Sequence, residues 1–260
     1  MAVSNAAYYR MADYSNLAGK IDSSIESVVF DTIDSTNDYL SNLAFTKTTQ
    51  VCITRNQTQG RGQYGRVWLS QKDANILFSM RYIFDASIAL NGLSLVIGLS
   101  VVSTLADFGV SGIKLKWPND IFYEDKKLAG ILIENSAQGQ YQSVVVGLGL
   151  NYNLNQTFEC DSPWIDLSRI RVNLPTIEGL SAALINNMLK YCQLFATQGL
   201  PCFLKSWETV DYLIGKRVEL ITNNQKKIGI AVGINQQGAL IIDTKGSLIE
   251  AYSSEQIRLI

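Results

Sequence analysis

The sequence predicts an α+β domain followed by a small β-barrel. Extended runs outnumber helical ones, and the two do not alternate as βα units would require. From Gly215 to residue 260 the pattern changes to short strands separated by polar turns, the signature of a small barrel.

Taken in order, VVFDTI (28 to 33) reads as the first strand, and DSTNDYLSNLA opens a helix near Ser35. Ser35 with Asp38 three residues on has the spacing of a capping box. Strands around 51 to 55 and 76 to 83 follow, then an apolar helix of about 90 to 108. IKLKW, IFYE, LAGILIEN and SVVVGLGLN are extended runs joined by PND, a DKK turn and the polar SAQGQYQ turn. Helices are expected over 176 to 197 and 201 to 212, and a domain boundary near 212 to 215 separates residues 1–212 from 213–260. RVELIT, KKIGIAVGI, GALIID and SLIEAY are the short strands of the second unit.

Between the strands at 51 to 55 and 76 to 83 lies NQTQGRGQYGRVW, with glycines at 60, 62 and 65. That spacing matches a dinucleotide-binding loop, which needs a strand before it and a helix after it. Downstream, VWLS and ILFSMRYI are extended, so no helix N-terminus faces a pyrophosphate and an NAD site is excluded. Positive charge must come from Arg61 and Arg66. A plain surface hairpin fits this segment as well.

Composition removes several chemistries. The 260 residues contain no histidine, which excludes Ser-His-Asp and Cys-His catalysis, histidine-ligated zinc and histidine bases. Lysine, arginine, carboxylates and backbone donors remain. A net charge of -1 gives no whole-molecule attraction for nucleic acid or an anionic membrane. MAVSNAAYYRMADYSNL is a poor signal peptide, and LNGLSLVIGLSVVSTLADF suits a buried helix better than a membrane span. Cysteines at 52, 160, 192 and 202 form no metal or redox pair, so isolated core thiols in a reducing, cytoplasmic compartment are expected.

KLKWPNDIFYEDKKLAGILIEN (114 to 135) concentrates unusual residues. Pro118 forces an extended approach, and Asn119 and Asp120 stand at the turn. Lys126 suits a solvated hairpin tip. Lys127 stands at the mouth of LAGILIE, where Gly130 leaves room for close approach to a cavity. VVVGLGLN ends in two glycines and Asn151, which fits a bulge or a wall for a flat ligand.

DSTNDYL, QTQGRGQYGRVW, KWPND, KLAGILIE and VVGLGLN, in this order and spacing, resemble the biotin protein ligases from about residue 28 onward, and the C-terminal segment resembles that family's SH3-like domain. The resemblance implies a mixed-sheet biotin/lipoate ligase-like catalytic domain and a two-step reaction. Biotin and ATP, with Mg²⁺, form biotinyl-AMP and pyrophosphate, and a lysine of a biotin carboxyl carrier protein, such as that of acetyl-CoA carboxylase, then accepts the biotin. It places biotin contacts at Ser35, Thr36, Asn37, Gln57, Arg61, Gly62, Gln63 and Lys127. Arg66, Trp68, Lys116, Asn119 and Asn151 fall on the nucleotide side or beside the incoming amine, with Trp68 equally suited to the core. Arg61, Lys127 and Asp120 are the expected catalytic set, Asp120 orienting the carrier lysine. The family's GRGRxGR is GRGQYGR here, so Gln63 replaces an arginine. The first core strand begins by residue 28, which matches the short form without a DNA-binding domain. Pairing of GQYQSVVV as an edge strand would make a homodimer, as is the family's habit. Lipoate or octanoate ligation and non-catalytic biotin binding are the alternatives.

Overall fold

The computed structural model describes residues 17, 19–155, 162–222, 225–252 and 257–260. The signal-peptide reading of the N-terminal stretch, apart from Leu17, and Cys160 lie outside them. A mixed sheet of seven described strands organises the first part: β1 (Ile25–Phe30), β2 (Thr49–Thr54), β3 (Asn75–Asp85), β4 (Ile113–Lys116), β5 (Asp120–Tyr123), β6 (Lys126–Gln138) and β7 (Tyr141–Asn151). Their order is β1-β2-β3-β7-β6-β5-β4, with β1 and β2 parallel and the other neighbours antiparallel. β7 is therefore central. GQYQSVVV pairs on both sides, with β3 and with β6, and offers no free edge to a second subunit.

Side-chain alternation divides this sheet into two unlike faces. Ile76, Phe78 and Met80 of β3 join Val144, Val146, Leu148 and Leu150 of β7 in the main core. Helices α2 (Leu93–Asp107) and α3 (Ile177–Gln198) belong to the same core, and Asn187 of α3 donates to Ser100 O of α2 at 2.9 Å. Leu95, Val96, Ile97, Leu99 and Val101 are all buried, so α2 is apolar nearly all round because it is enclosed nearly all round. The opposite face carries Ser79 and Arg81 of β3 and Val145, Gly147 and Gly149 of β7, and of the described helices only the six-residue α1 (Thr36–Ser41) lies against it. Arg81 anchors α1 by donating to Leu40 O, Leu43 O and Ala44 O at 2.8–3.1 Å, which satisfies carbonyls that a helix end leaves open.

The helix expected over 201 to 212 is interrupted: a 3₁₀ turn, Leu200–Phe203, precedes α4 (Leu204–Val210). Pro201 lacks the N–H that a continuous helix would need, and the chain leaves α4 extended at Asp211 (φ -60, ψ 120), where Tyr212 N donates to Leu115 O. The remaining strands, β8 (Arg217–Thr222), β9 (Gln225–Ile234), β10 (Leu240–Asp243), β11 (Leu248–Ala251) and β12 (Ile257–Leu259), form an antiparallel sheet in the order β11-β10-β9-β8-β12. This sheet is consistent with the expected SH3-like barrel, although the described strands β11 and β12 do not pair. Trp117 Nε1 donates to Gly238 O at 2.9 Å and ties this sheet to the tip of β4. Cys52 and Cys192 are buried, and burial pushes the Cys192 thiol up to about 12, whereas Cys202 is exposed rather than a core thiol.

Candidate functional site

Ser35 caps α1, its Oγ accepting from Asp38 N at 3.3 Å. The reciprocal half of the capping box is missing because the Asp38 carboxylate turns to Arg61, with Oδ1 2.5 Å from Nη2. The next two side chains point down to the sheet. Thr36 Oγ1 lies 2.7 Å from Ser79 Oγ, and Ser79 Oγ lies 2.5 Å from Asn37 Oδ1. Asn37 Nδ2 donates to Glu134 Oε2 at 2.8 Å, and the same oxygen accepts from Arg61 Nη2 at 2.7 Å. Gln57 Oε1 accepts from Thr36 N at 2.8 Å. Asn37 fits only because position 147 is glycine: a β-carbon there would collide with Asn37 Oδ1.

Residues 56–73 form the loop above this wall. Gln57 bridges to Ile33 and Arg61 to Val67, while Gly62 N donates to Arg66 O at 2.7 Å and Trp68 N to Gly60 O at 2.9 Å. The tip is a 3₁₀ turn, Gln63–Gly65, with Tyr64 at φ 58. VWLS is thus not a strand; only Val67 pairs, and the chain beyond it is irregular. Arg61 and Gln63 line the cleft beneath the loop. Arg66 is exposed and outside that lining, its guanidinium 5.8 Å from the Tyr64 ring.

The opposite wall comes from β5 and β6. Asn119 Nδ2 donates to Ile131 O at 2.8 Å, which fixes the PND turn after the cis Trp117–Pro118 bond. Lys127 Nζ lies 2.7 Å from Asp120 Oδ1 as an ion pair without hydrogen-bond geometry, and 5.6 Å from the Trp68 ring centroid. Trp68 lies over a glycine strip: a β-carbon at Gly149 would stand 2.5 Å from its Cε2, and one at Gly130 3.1 Å from its Cζ3. The strip is regular in register, so these glycines form a wall and not a bulge. Trp68 Nε1 is enclosed without a hydrogen-bond partner.

Two of the residues singled out in the sequence stand behind the cleft rather than in it. Asn151 is buried, accepts from Asn75 Nδ2 at 3.1 Å and donates to Ile165 O at 3.0 Å. Lys116 lies under the PND turn, its Nζ 5.2 Å from the Phe122 ring. Burial holds its ammonium below the usual lysine range, opposed by Asp120 and assisted by Lys127, Lys216 and Arg66. A depressed lysine penalises the fold while it is protonated, and the penalty fades as pH rises from the folded toward the unfolded value of about 10.4. Lys116→Met is therefore expected to raise the urea midpoint at pH 7 and to gain less near pH 10.5. Equal gains at both would contradict this.

These walls border a single cleft. It holds Ser35, Thr36, Asn37, Gln57, Gly62 and Gln63 on one side, Asn119, Asp120 and Lys127 on the other, and Arg61 above. Each cation is already paired with a carboxylate and partly exposed, Arg61 at 40% and Lys127 at 27% of the side chain, so the cleft is half-open and an anionic ligand must compete with those carboxylates. Ser79 and Glu134 complete the polar wall and are absent from the motif reading; the traces they leave are a lone serine in ILFSMRYI and a lone acid in LAGILIEN. Among the described residues, no group of three or more acidic, cysteine or histidine side chains could hold a metal, and no helix is long and apolar enough to cross a membrane.

A polar cleft thus lies on the open face of the mixed sheet, roofed by a glycine loop, in a chain that continues into an antiparallel sheet. Residues 29–151 match the biotin/lipoate A/B protein ligase family, and residues 213–255 match the biotin protein ligase C terminal domain. The chain belongs to the biotin protein ligase family. The bifunctional ligase/repressor BirA of Escherichia coli K12 is 36% identical over 236 residues, spanning 89% of this chain and 73% of that protein. The biotin--[acetyl-CoA-carboxylase] ligase of Mycobacterium tuberculosis is 29% identical over 80% of this chain and 79% of its own. The Aquifex aeolicus biotin protein ligase, solved in complex with biotin and ATP, superposes with a TM-score of 0.78 at 26% identity, covering 90% of this chain and 98% of that one.

Proposed function

We propose that this chain is a cytoplasmic, ATP-dependent biotin protein ligase that biotinylates a lysine of a biotin carboxyl carrier protein such as that of acetyl-CoA carboxylase. The observation that carries the reading is the gathering of Arg61, Lys127 and Asp120 with the Thr36–Gln57 wall around one cleft. Residues 1–212 supply the chemistry and residues 213–260 the appended unit. In the first step a biotin carboxylate oxygen bonds to the α-phosphorus of ATP and the bond to the β-phosphate breaks. Two anions meet, and Arg61 and Lys127, released from their carboxylates, stabilise the charge between them. In the second step the carrier amine bonds to the acyl carbon, AMP leaves, and the amine gives up a proton. Asp120, beside Lys127, orients that amine, and no histidine assists. Mg²⁺ bound to the nucleotide phosphates would neutralise phosphate charge there, since among the described residues no group of three acidic side chains would hold it. The loop at 56–73 shields the mixed anhydride from water.

Mass measurement after incubation with ATP, Mg²⁺, biotin and a carrier domain tests the reading: the carrier is expected to gain one biotinyl group, with lipoate giving none. An unmodified carrier, or preferred labelling by lipoate, contradicts it. Gln63 stands in the cleft where the family carries an arginine, and an added cation there faces the intermediate's phosphate. Gln63→Arg is expected to slow biotinyl-AMP release about tenfold, the worth of ~1 kcal/mol or more from a charge-assisted contact; equal off-rates remove this idea.

A further inference from the structure

We propose that Ser79, which lies beneath the cleft and outside its lining, is a positioning residue that sets the direction of the hydrogen bonds in the cleft wall and thereby selects a ring bearing N–H donors. The inference rests on the biotin reading and adds to it the means by which the cyclic urea is recognised.

The directions follow from counting protons. The Glu134 carboxylate accepts only, so Asn37 must turn its amide nitrogen to it, as the 2.8 Å contact requires. Asn37 Oδ1 then faces Ser79 at 2.5 Å and can only accept, which commits the single Ser79 proton to Asn37. Ser79 Oγ is left to accept, and Thr36 Oγ1, 2.7 Å away, commits its own proton to Ser79. Thr36 Oγ1 now offers only lone pairs. Thr36 Oγ1 is also within donating reach of Gln57 Oε1 at 3.1 Å, but its one proton serves the shorter contact to Ser79, and Gln57 Oε1 is fixed as an acceptor by Thr36 N at 2.8 Å. Two acceptors then lie side by side with no proton between them, Thr36 being 3% exposed and Gln57 partly buried at the cleft lining. Such a pair is a seat for a ligand N–H. The Gln57 amide nitrogen, pointed the other way, is a donor for the adjoining carbonyl. A cyclic urea supplies N–H and C=O in that order. Without the Ser79 hydroxyl, the Thr36 proton is free to turn to Gln57 Oε1, and the seat is filled from within.

The test measures biotin-dependent pyrophosphate release by the full chain, with biotin and with biotin methylated on a ureido nitrogen. The natural protein is expected to prefer biotin strongly. Ser79→Ala is expected to raise KM for biotin about tenfold with kcat nearly unchanged, and to shrink the preference over the methylated analogue about tenfold, the loss of one well-placed hydrogen bond. Thr36→Val, which removes the acceptor itself, is expected to shrink the preference likewise, and adding Ser79→Ala to it to change the preference no further. A merely structural role for Ser79 would lower activity or the melting temperature and leave the preference intact. An unchanged preference in Ser79→Ala, or in Thr36→Val should the serine variant not fold, overturns the inference while biotin turnover by the natural protein still upholds the ligase reading. Absence of biotin-dependent turnover in the natural protein overturns both.

Discussion

Lys127→Ala is expected to lower kcat/KM for biotinyl-AMP formation by about 10²–10³-fold, the usual cost of removing one preorganised charge from a developing anion. Its ammonium is positioned by the strand and by its surroundings. The Lys127 backbone donates to Pro163 O and accepts from Ile165 N, both bonds surviving truncation, so the loss falls on chemistry more than on folding. Asp120 2.7 Å away is left without its partner, which adds a modest destabilisation tempered by its partial exposure. Single-turnover formation of the adenylate in the variant, beside its melting curve, separates the two. Near-normal formation would show that the cleft cations are not those that meet the phosphate.

Gly147→Ala is the second large effect. The added methyl meets Asn37 Oδ1 inside contact distance, and Asn37 cannot move away because Ser79 and Glu134 hold both ends of its amide. Overpacking of this kind costs about 1–3 kcal/mol, and here the shift also unseats Thr36 and Gln57. KM for biotin is expected to rise by about 10²-fold, in line with two or more lost hydrogen bonds. Gly19→Ala, where no atom of the described residues beyond its chain neighbours lies within 4 Å of the new carbon, serves as the matched control. Equal behaviour of the two variants in biotin titrations contradicts the wall described above.

Short motifs made part of this site legible. Ser35, Thr36 and Asn37 are consecutive, and Gln57, Arg61 and Lys127 each sit in a compact polar signature, so their presence at one cleft needed little knowledge of the fold. Ser79 and Glu134 were not legible for a physical reason. Each stands alone in an apolar strand, and its partners are set by the order β3-β7-β6 beneath α1, which no local window contains. Direction was harder to read than residue type. Asn151 turns toward Asn75 and Ile165 O, and Arg66 lies outside the cleft lining, although both belong to recognisable motifs. The same non-locality misled the expectation for GQYQSVVV, whose composition suits an exposed edge until β3 and β6 are placed on either side. Asp38 is the mildest case: its spacing indicated a cap, and the nearby guanidinium of Arg61 outcompetes the backbone for its carboxylate.

Exchange of labelled pyrophosphate into ATP by the full chain tests most directly whether vitamin and nucleotide are joined in this cleft. Exchange is expected only when biotin and Mg²⁺ are both supplied, and is expected to vanish in Lys127→Ala. Exchange that proceeds without biotin, or that survives the loss of Lys127 intact, would place the reaction elsewhere.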